Sequence, residues 1–207
     1  MARSVDIIRH RFLHAVVSIT LAFVTHTSVA DARRYDLDPE HLTIGFLVRH
    51  LGYADILGFF RKASGSYTFD EATRTLSDVR VVVDTDSVFT GHDKRDKHLR
   101  GRDFLDASRA PRMTFTASSA TWTGDKTFKL NGELELLGQR RPLQLTGTLN
   151  KSGPYPIGDG PSKPYVMGVS LRGTVKRSEW GMNYGVANGW VGDDVHVIIE
   201  FEARQAR

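Results

Sequence analysis

The sequence predicts an all-β fold, an antiparallel eight-stranded β-barrel with a short helical insert near residues 93–100. Three observations carry this. Eight segments alternate apolar and polar residues with period two, which puts one set of side chains on each face of a strand. Many of these segments run to about ten residues, beyond the usual five or six. Consecutive antiparallel strands of that length favour closure, because a closed barrel has no exposed edges. Helix-type spacing is confined to the stretch around 93–100.

The chain begins with a segment that the barrel does not need. Arg3, Arg9, His10 and Arg11 precede an apolar run of 13 residues, Phe12 to Val24, and Ser28-Val29-Ala30 follows. Basic, apolar and small-x-small in that order is a secretory signal, and the run is too short to span a bilayer as a helix. Cleavage is expected within Ala30 to Ala32. Residues 1–30 are then signal peptide, 31–207 form one domain, and the protein is expected to be exported. Its removal takes away Arg3, Arg9, Arg11 and Asp6, which leaves nearly balanced charge. That balance, with export, argues against nucleic acid as a partner despite a sequence pI near 9.4. The 207-residue chain has no cysteine, which excludes disulfides, thiolate chemistry and a lipoprotein anchor.

The strands follow in order. HLTIGFLVRH (41–50) places Leu42, Ile44, Phe46, Val48 and His50 on one face. GFFRKASGSYTFD (58–70) is read as one strand with Phe59, Ala63, Tyr67 and Phe69 inward and Arg61 interrupting. LSDVRVVVDTD (76–86) sets Val79, Val81, Val83 and Thr85 against Arg80, Asp84 and Asp86. RMTFTASSATW (112–122) gives Met113, Phe115 and Ala117. TFKLNGELELL (127–137) and PLQLTGTL (142–149) read as a hairpin whose turn begins at Gly138-Gln139. A Pro/Gly-rich loop is expected from Lys151 to Pro164. YVMGVSLRGTV (165–175) and DVHVIIEFEAR (194–204) complete the eight.

An eight-stranded barrel is just wide enough to hold one small ligand, or to be filled by its own side chains. Alternation selects Ile44, Phe46, Val48, His50, Phe59, Val81, Val83, Met113 and Phe115 as candidate ligand-binding residues. The opposite faces carry charged or hydroxyl groups, with Leu47 and Val82 as exceptions. His50 ends an apolar face. Its ring there could hydrogen-bond a ligand head group, or be an ordinary core histidine.

TGHDKRDKHLRGRDFLD (90–106) is the densest cluster of chemistry-bearing residues. His92 and Asp96 are four apart, but His98 is turned away from them on a helix, so the spacing builds no metal set. A calcium loop from Asp84 fails, with Phe89 where glycine is needed and Arg95 where glutamate is needed. Nothing in the cluster pairs a nucleophile with a base. What remains is a short charged helix held by Asp93–Lys97 and Asp96–Arg100 pairs, anchored by Leu99, Phe104 and Leu105. Gly158-Asp159-Gly160 lies in a loop and is no phosphate cradle. Asn150-Lys151-Ser152 matches a glycosylation triplet of a kind that recurs by chance.

Several stretches taken in order resemble one known family. They are YDLDPEH (35–41), the run Phe46, Val48, His50, then Gly58-Phe59, Phe69-Asp70, Ser87 and Thr90. RDKHLRGRDFLD (95–106) follows, with Pro111, Thr114-Phe115 and finally RSEWGM (177–182). Together they resemble the YceI-like, polyisoprenoid-binding proteins of the bacterial periplasm. Trp180 departs from the family's usual Phe, which bears on local packing. The resemblance implies a lipocalin-like barrel that holds a long apolar chain, a polyisoprenoid or a fatty-acid derivative, as a non-catalytic lipid carrier or buffer. It also implies that the 95–106 segment is a structural signature. The expected partner is an apolar lipid, with no other cofactor, no metal and no transmembrane segment; a homodimer is left open. Two other classes stay in view, a lipid-modifying enzyme using His50 and a stress-related interaction protein with a packed barrel.

Overall fold

The computed structural model describes residues 31–157 and 163–206. The signal segment and Gly158-Asp159-Gly160 lie outside the described residues. Eight antiparallel strands close the barrel: β1 (Arg33–His50), β3 (Ala63–Asp70), β4 (Thr75–Asp84), β6 (Arg112–Ala117), β8 (Thr127–Leu136), β9 (Gln139–Pro154), β10 (Tyr165–Lys176) and β11 (Val191–Gln205). Pairing runs β1-β3-β4-β6-β8-β9-β10-β11, and β11 returns to β1 along nearly its whole length. Three short strands, β2 (Ala54–Phe60), β5 (Val88–Phe89) and β7 (Ala120–Trp122), extend this wall, and one helix, α1 (Asp93–Leu99), lies among the described residues.

The first strand begins earlier than alternation indicates. Arg33 to Asp36 pair with β3, and Ile44 to His50 pair with β2. Between them the register with β11 shifts, from Leu37 opposite Ala203 to Leu42 opposite Phe201. Pro39, which has no N–H to give the ladder, sits in that bulge. The buried carboxylate of Asp38 staples it, accepting from the Glu40 N–H at 3.1 Å, His41 Nδ1 at 2.9 Å and Arg204 Nη2 at 2.7 Å. Burial alone would raise the Asp38 pKa, but the hydrogen bonds from His41, Glu40 and Arg204 hold it below its usual value.

Other boundaries differ from the expected ones. Residues 58–70 are two strands, broken at Arg61-Lys62. The hairpin turn is Leu137-Gly138, both with positive φ (52° and 72°), one residue earlier than expected. Two positive φ values fit the twist of a two-residue hairpin. Residues 151–154 belong to β9, because Tyr165 to Gly168 of β10 supply a ladder for them, with Pro154 at the strand's last position.

The core is the barrel interior. Glycines on the inward face are covered by neighbouring rings. A Cβ on Gly132 would come within 2.4 Å of the Phe115 ring, and one on Gly147 within 2.2 Å of the Phe128 ring. Large aromatic side chains are thus seated against the wall at positions where any other residue would push them inward.

Candidate functional site

Inside the barrel is a cavity of about 620 Å³. Its wall is overwhelmingly aliphatic and aromatic. Away from the open end the polar groups are few. The Trp122 indole N–H donates to the Arg74 carbonyl at 2.9 Å. Tyr67, stacked on Tyr35 with centroids 5.3 Å apart, is buried, and that burial pushes its hydroxyl well above the ordinary tyrosine range.

Of the cavity-lining residues, the exposed ones are Arg49, His50, Leu51, His98, Tyr184 and Trp190. All six belong to one end, where the β1–β2 turn, α1 and the 183–190 loop meet. That end is the mouth. The opposite end is closed by buried or half-buried side chains such as Phe69, Trp122, Leu149 and Met167.

Ile44, Phe46, Val48, His50, Val81, Val83, Met113 and Phe115 line this cavity. Phe59 does not, and its selection is corrected. The break at Arg61-Lys62 switches parity between β2 and β3, so Ile56, Gly58 and Phe60 face inward before the break and Tyr67 and Phe69 after it. Phe59 instead packs outside against Phe89, ring centroids 5.3 Å apart, with the Arg61 guanidinium 3.7 Å from the Phe89 ring centre. Phe60 takes the inward place, 5.7 Å from Phe46.

The α1 region is built differently from a helix held by its own ion pairs. Asp96 is buried and faces inward, where its carboxylate accepts from the Thr90 N–H at 2.9 Å and from the Thr90 hydroxyl. Arg95 then grips Thr90, with Nε on the hydroxyl at 2.7 Å and Nη2 on the carbonyl at 2.9 Å. Neither the Asp93–Lys97 nor the Asp96–Arg100 pair forms among the described residues; Arg100 approaches Asp86 at 3.6 Å. A buried carboxylate that Thr90 already occupies has no reason to turn outward. Phe104 and Leu105 are buried and, with Leu99, form part of the cavity wall.

His92 caps α1, its Nδ1 accepting from the Arg95 N–H at 3.3 Å. His98 pairs with Asp103 at 2.7 Å and sits edge-on between Phe104 and Tyr184. Both roles are structural and partly exposed. Replacing His92 and His98 together by Gln is expected to lower stability by about 1 kcal/mol or less, read by thermal melting. Stoichiometric zinc in the wild type, lost in the double variant, would establish a metal role instead.

The second signature, RSEWGM, frames the mouth. Arg177 is buried, and its guanidinium donates to four carbonyl oxygens: Gly192 at 2.7 Å, Met182 at 2.5 Å, and Tyr184 and Val191 at 2.8 Å each. Burial lowers its pKa, and Asp193 opposes this. Asp193 also accepts from the Ser178 N–H and hydroxyl at 2.8 Å each. Trp180 is 1% exposed, and its indole N–H is shared between the Leu134 and Gln139 carbonyls at 3.2 and 3.1 Å. The indole is thus accommodated with its polar edge satisfied. Gly181 takes φ +84°, the left-handed cap that glycine adopts without strain. Alternation could not find this clamp, because its acceptors are backbone carbonyls, two in the loop after Trp180 and two at the start of β11.

The comparisons with known proteins agree with this construction. The YceI-like domain profile matches residues 35–203. Protein YceI of Salmonella arizonae is 32% identical over 188 residues, covering 91% of this chain and 94% of that protein. A Campylobacter jejuni YceI crystal structure superposes with a TM-score of 0.67 at 27% identity, covering 77% of this chain and 90% of that one. A polyisoprenoid binding domain from Saccharophagus degradans shares the fold, with a TM-score of 0.60 at 16% identity, covering 83% of this chain and 98% of that one. With a family profile matched over residues 35–203 and relatives at 32% identity covered almost end to end, the chain belongs to the YceI-like family.

Proposed function

We propose that this protein holds a long apolar chain, a polyisoprenoid or fatty-acid derivative, inside the barrel and acts as a non-catalytic lipid carrier or buffer in the periplasm. One observation carries the reading, the apolar cavity of about 620 Å³ open at a single end. Each methylene moved into it from water gains about 0.8 kcal/mol, so an extended hydrocarbon is the ligand class such a wall rewards. The Saccharophagus degradans neighbour, named for polyisoprenoid binding, supports the same class. The signal-like segment 1–30 supports export. An enzymatic role for His50 is less well supported, because the ring stands exposed in the rim rather than enclosed beside a nucleophile.

Native mass spectrometry of the purified protein, followed by organic extraction, tests the proposal directly. A co-purifying prenyl or acyl lipid is expected; an empty barrel that also fails to take up a prenol would refute it. The rim position of His50 carries a further expectation. His50→Phe should weaken a prenyl phosphate while sparing the parent hydrocarbon, because only the head group can use the imidazole. Equal losses for both ligands would assign His50 to the fold alone.

A further inference from the structure

Seven large hydrophobic side chains are exposed among the described residues, and four of them gather at the mouth. Leu51, Tyr53, Tyr184 and Trp190 are 46, 89, 40 and 51% exposed and belong to the two loops that frame it, whereas Leu57 and Phe59 lie on the outer face of β2 and Ile157 follows β9. A backbone hydrogen bond from the Leu51 N–H to the Trp190 carbonyl, 2.9 Å, joins those loops, and the Tyr53 N–H closes the first turn on the His50 carbonyl at 3.0 Å. Arg177, through the Tyr184 and Val191 carbonyls, holds the second loop from beneath. The rim is therefore a fixed apolar collar, not a pair of loose loops.

Two rings of tyrosine type and one indole are the composition found where protein meets the headgroup level of a bilayer, since each has an apolar body and a polar edge. Alongside stand Lys94, Lys97 and Arg102, exposed and without an ion pair among the described residues. Nearby acids are largely committed: Asp96 to Thr90, Asp103 to His98, Asp55 to Arg49 and Asp193 to Ser178. Asp93 and Asp194 are exposed.

We infer that the rim formed by Leu51, Tyr53, Tyr184 and Trp190 docks on the surface of a phospholipid bilayer, with Lys94, Lys97 and Arg102 on anionic headgroups, so that the mouth faces the membrane. The inference rests on the lipid-holding reading of the cavity. An apolar chain that left the barrel into water would lose the gain of about 0.8 kcal/mol per methylene. Contact between mouth and bilayer gives the chain a path that is apolar throughout. That is the physical reason for a protein to leave indole and phenol rings exposed at this end.

The test is flotation of the purified exported protein with vesicles of phosphatidylethanolamine and phosphatidylglycerol, beside vesicles of phosphatidylcholine alone. Binding is expected, with preference for the anionic vesicles. Trp190 should report it by a blue shift on vesicle addition, absent in Trp190→Phe, since Trp180 is buried and Trp122 half-buried. Tyr53→Ser, at a residue 89% exposed and outside the cavity wall, should lower partitioning several-fold while leaving the melting curve and uptake of a short prenol unchanged. Lys94→Gln with Lys97→Gln should remove the anionic preference. No flotation of the wild type, or equal flotation of the serine variant, would overturn the inference. So would a dimer in sedimentation that the serine variant dissociates, with no vesicle binding, because the rim would then face a second copy. Cavity occupancy is read separately by native mass spectrometry. An empty barrel that still floats would refute the lipid-holding reading, and a filled barrel that does not float would refute only the docking.

Discussion

Arg177→Met is expected to lower the stability of the protein by roughly 3–5 kcal/mol. The guanidinium supplies donors to four carbonyl oxygens on both sides of the 183–190 loop. Methionine fills similar room and supplies none. A buried acceptor left unpaired costs about 1–3 kcal/mol, and the total stays below four times that because the loop can swing outward and hydrate some of them. Against a typical stability of about 5–15 kcal/mol, the loss is large. Urea unfolding measures it, and hydrogen exchange should show the amides of 183–192 opening first. Arg177→Lys should recover only part, since an ammonium cannot span four acceptors with a planar fork. The competing reading is that Arg177, which also borders the cavity, serves to bind an anionic head group. In that case Arg177→Met would leave unfolding nearly unchanged and abolish preference for a phosphorylated ligand.

The clamp also marks where sequence reasoning stopped. Alternation located the eight barrel strands, because the inward face of each must be apolar over its whole length and the period is fixed at two. It placed Val81, Val83, Met113 and Phe115 in the cavity wall for the same reason. It failed at Phe59, where Gly58-Phe59-Phe60 offers aromatic residues on both faces and the break at Arg61-Lys62 carries no glycine or proline to announce it. It failed again at the start of β1, since Tyr35-Asp36-Leu37-Asp38 precedes a proline and continues only through the Asp38 staple to Arg204, 166 positions away. Asp96 shows the limit for charged residues. Its spacing to Arg100 suggests a surface pair, and nothing local reveals that Thr90 takes it inward. Arg177 and Trp180 were legible only as a motif, because their partners are carbonyls that no side-chain pattern records.

Val83→Trp is expected to remove most lipid binding while leaving the melting temperature nearly unchanged. Val83 is buried in β4 and faces the cavity, so an indole there projects into open space rather than into a neighbour. If it displaces about four methylenes of ligand at about 0.8 kcal/mol each, affinity falls by about 3 kcal/mol, more than a hundredfold. The folded protein loses little, because a ring that fills a void gains contacts and forces no rotamer. The rival state is a barrel whose inward side chains close on one another when the ligand leaves. There the same ring overpacks the core and costs about 1–3 kcal/mol of stability. Differential scanning calorimetry of the delipidated protein, with titration of a radiolabelled prenol, separates the two. A drop of several degrees in the delipidated melting temperature, with prenol affinity falling only in proportion to the folded fraction, would mean a packed interior. The seating of Phe115 over Gly132 and Phe128 over Gly147 favours the open one, since those rings are held against the wall with or without a guest.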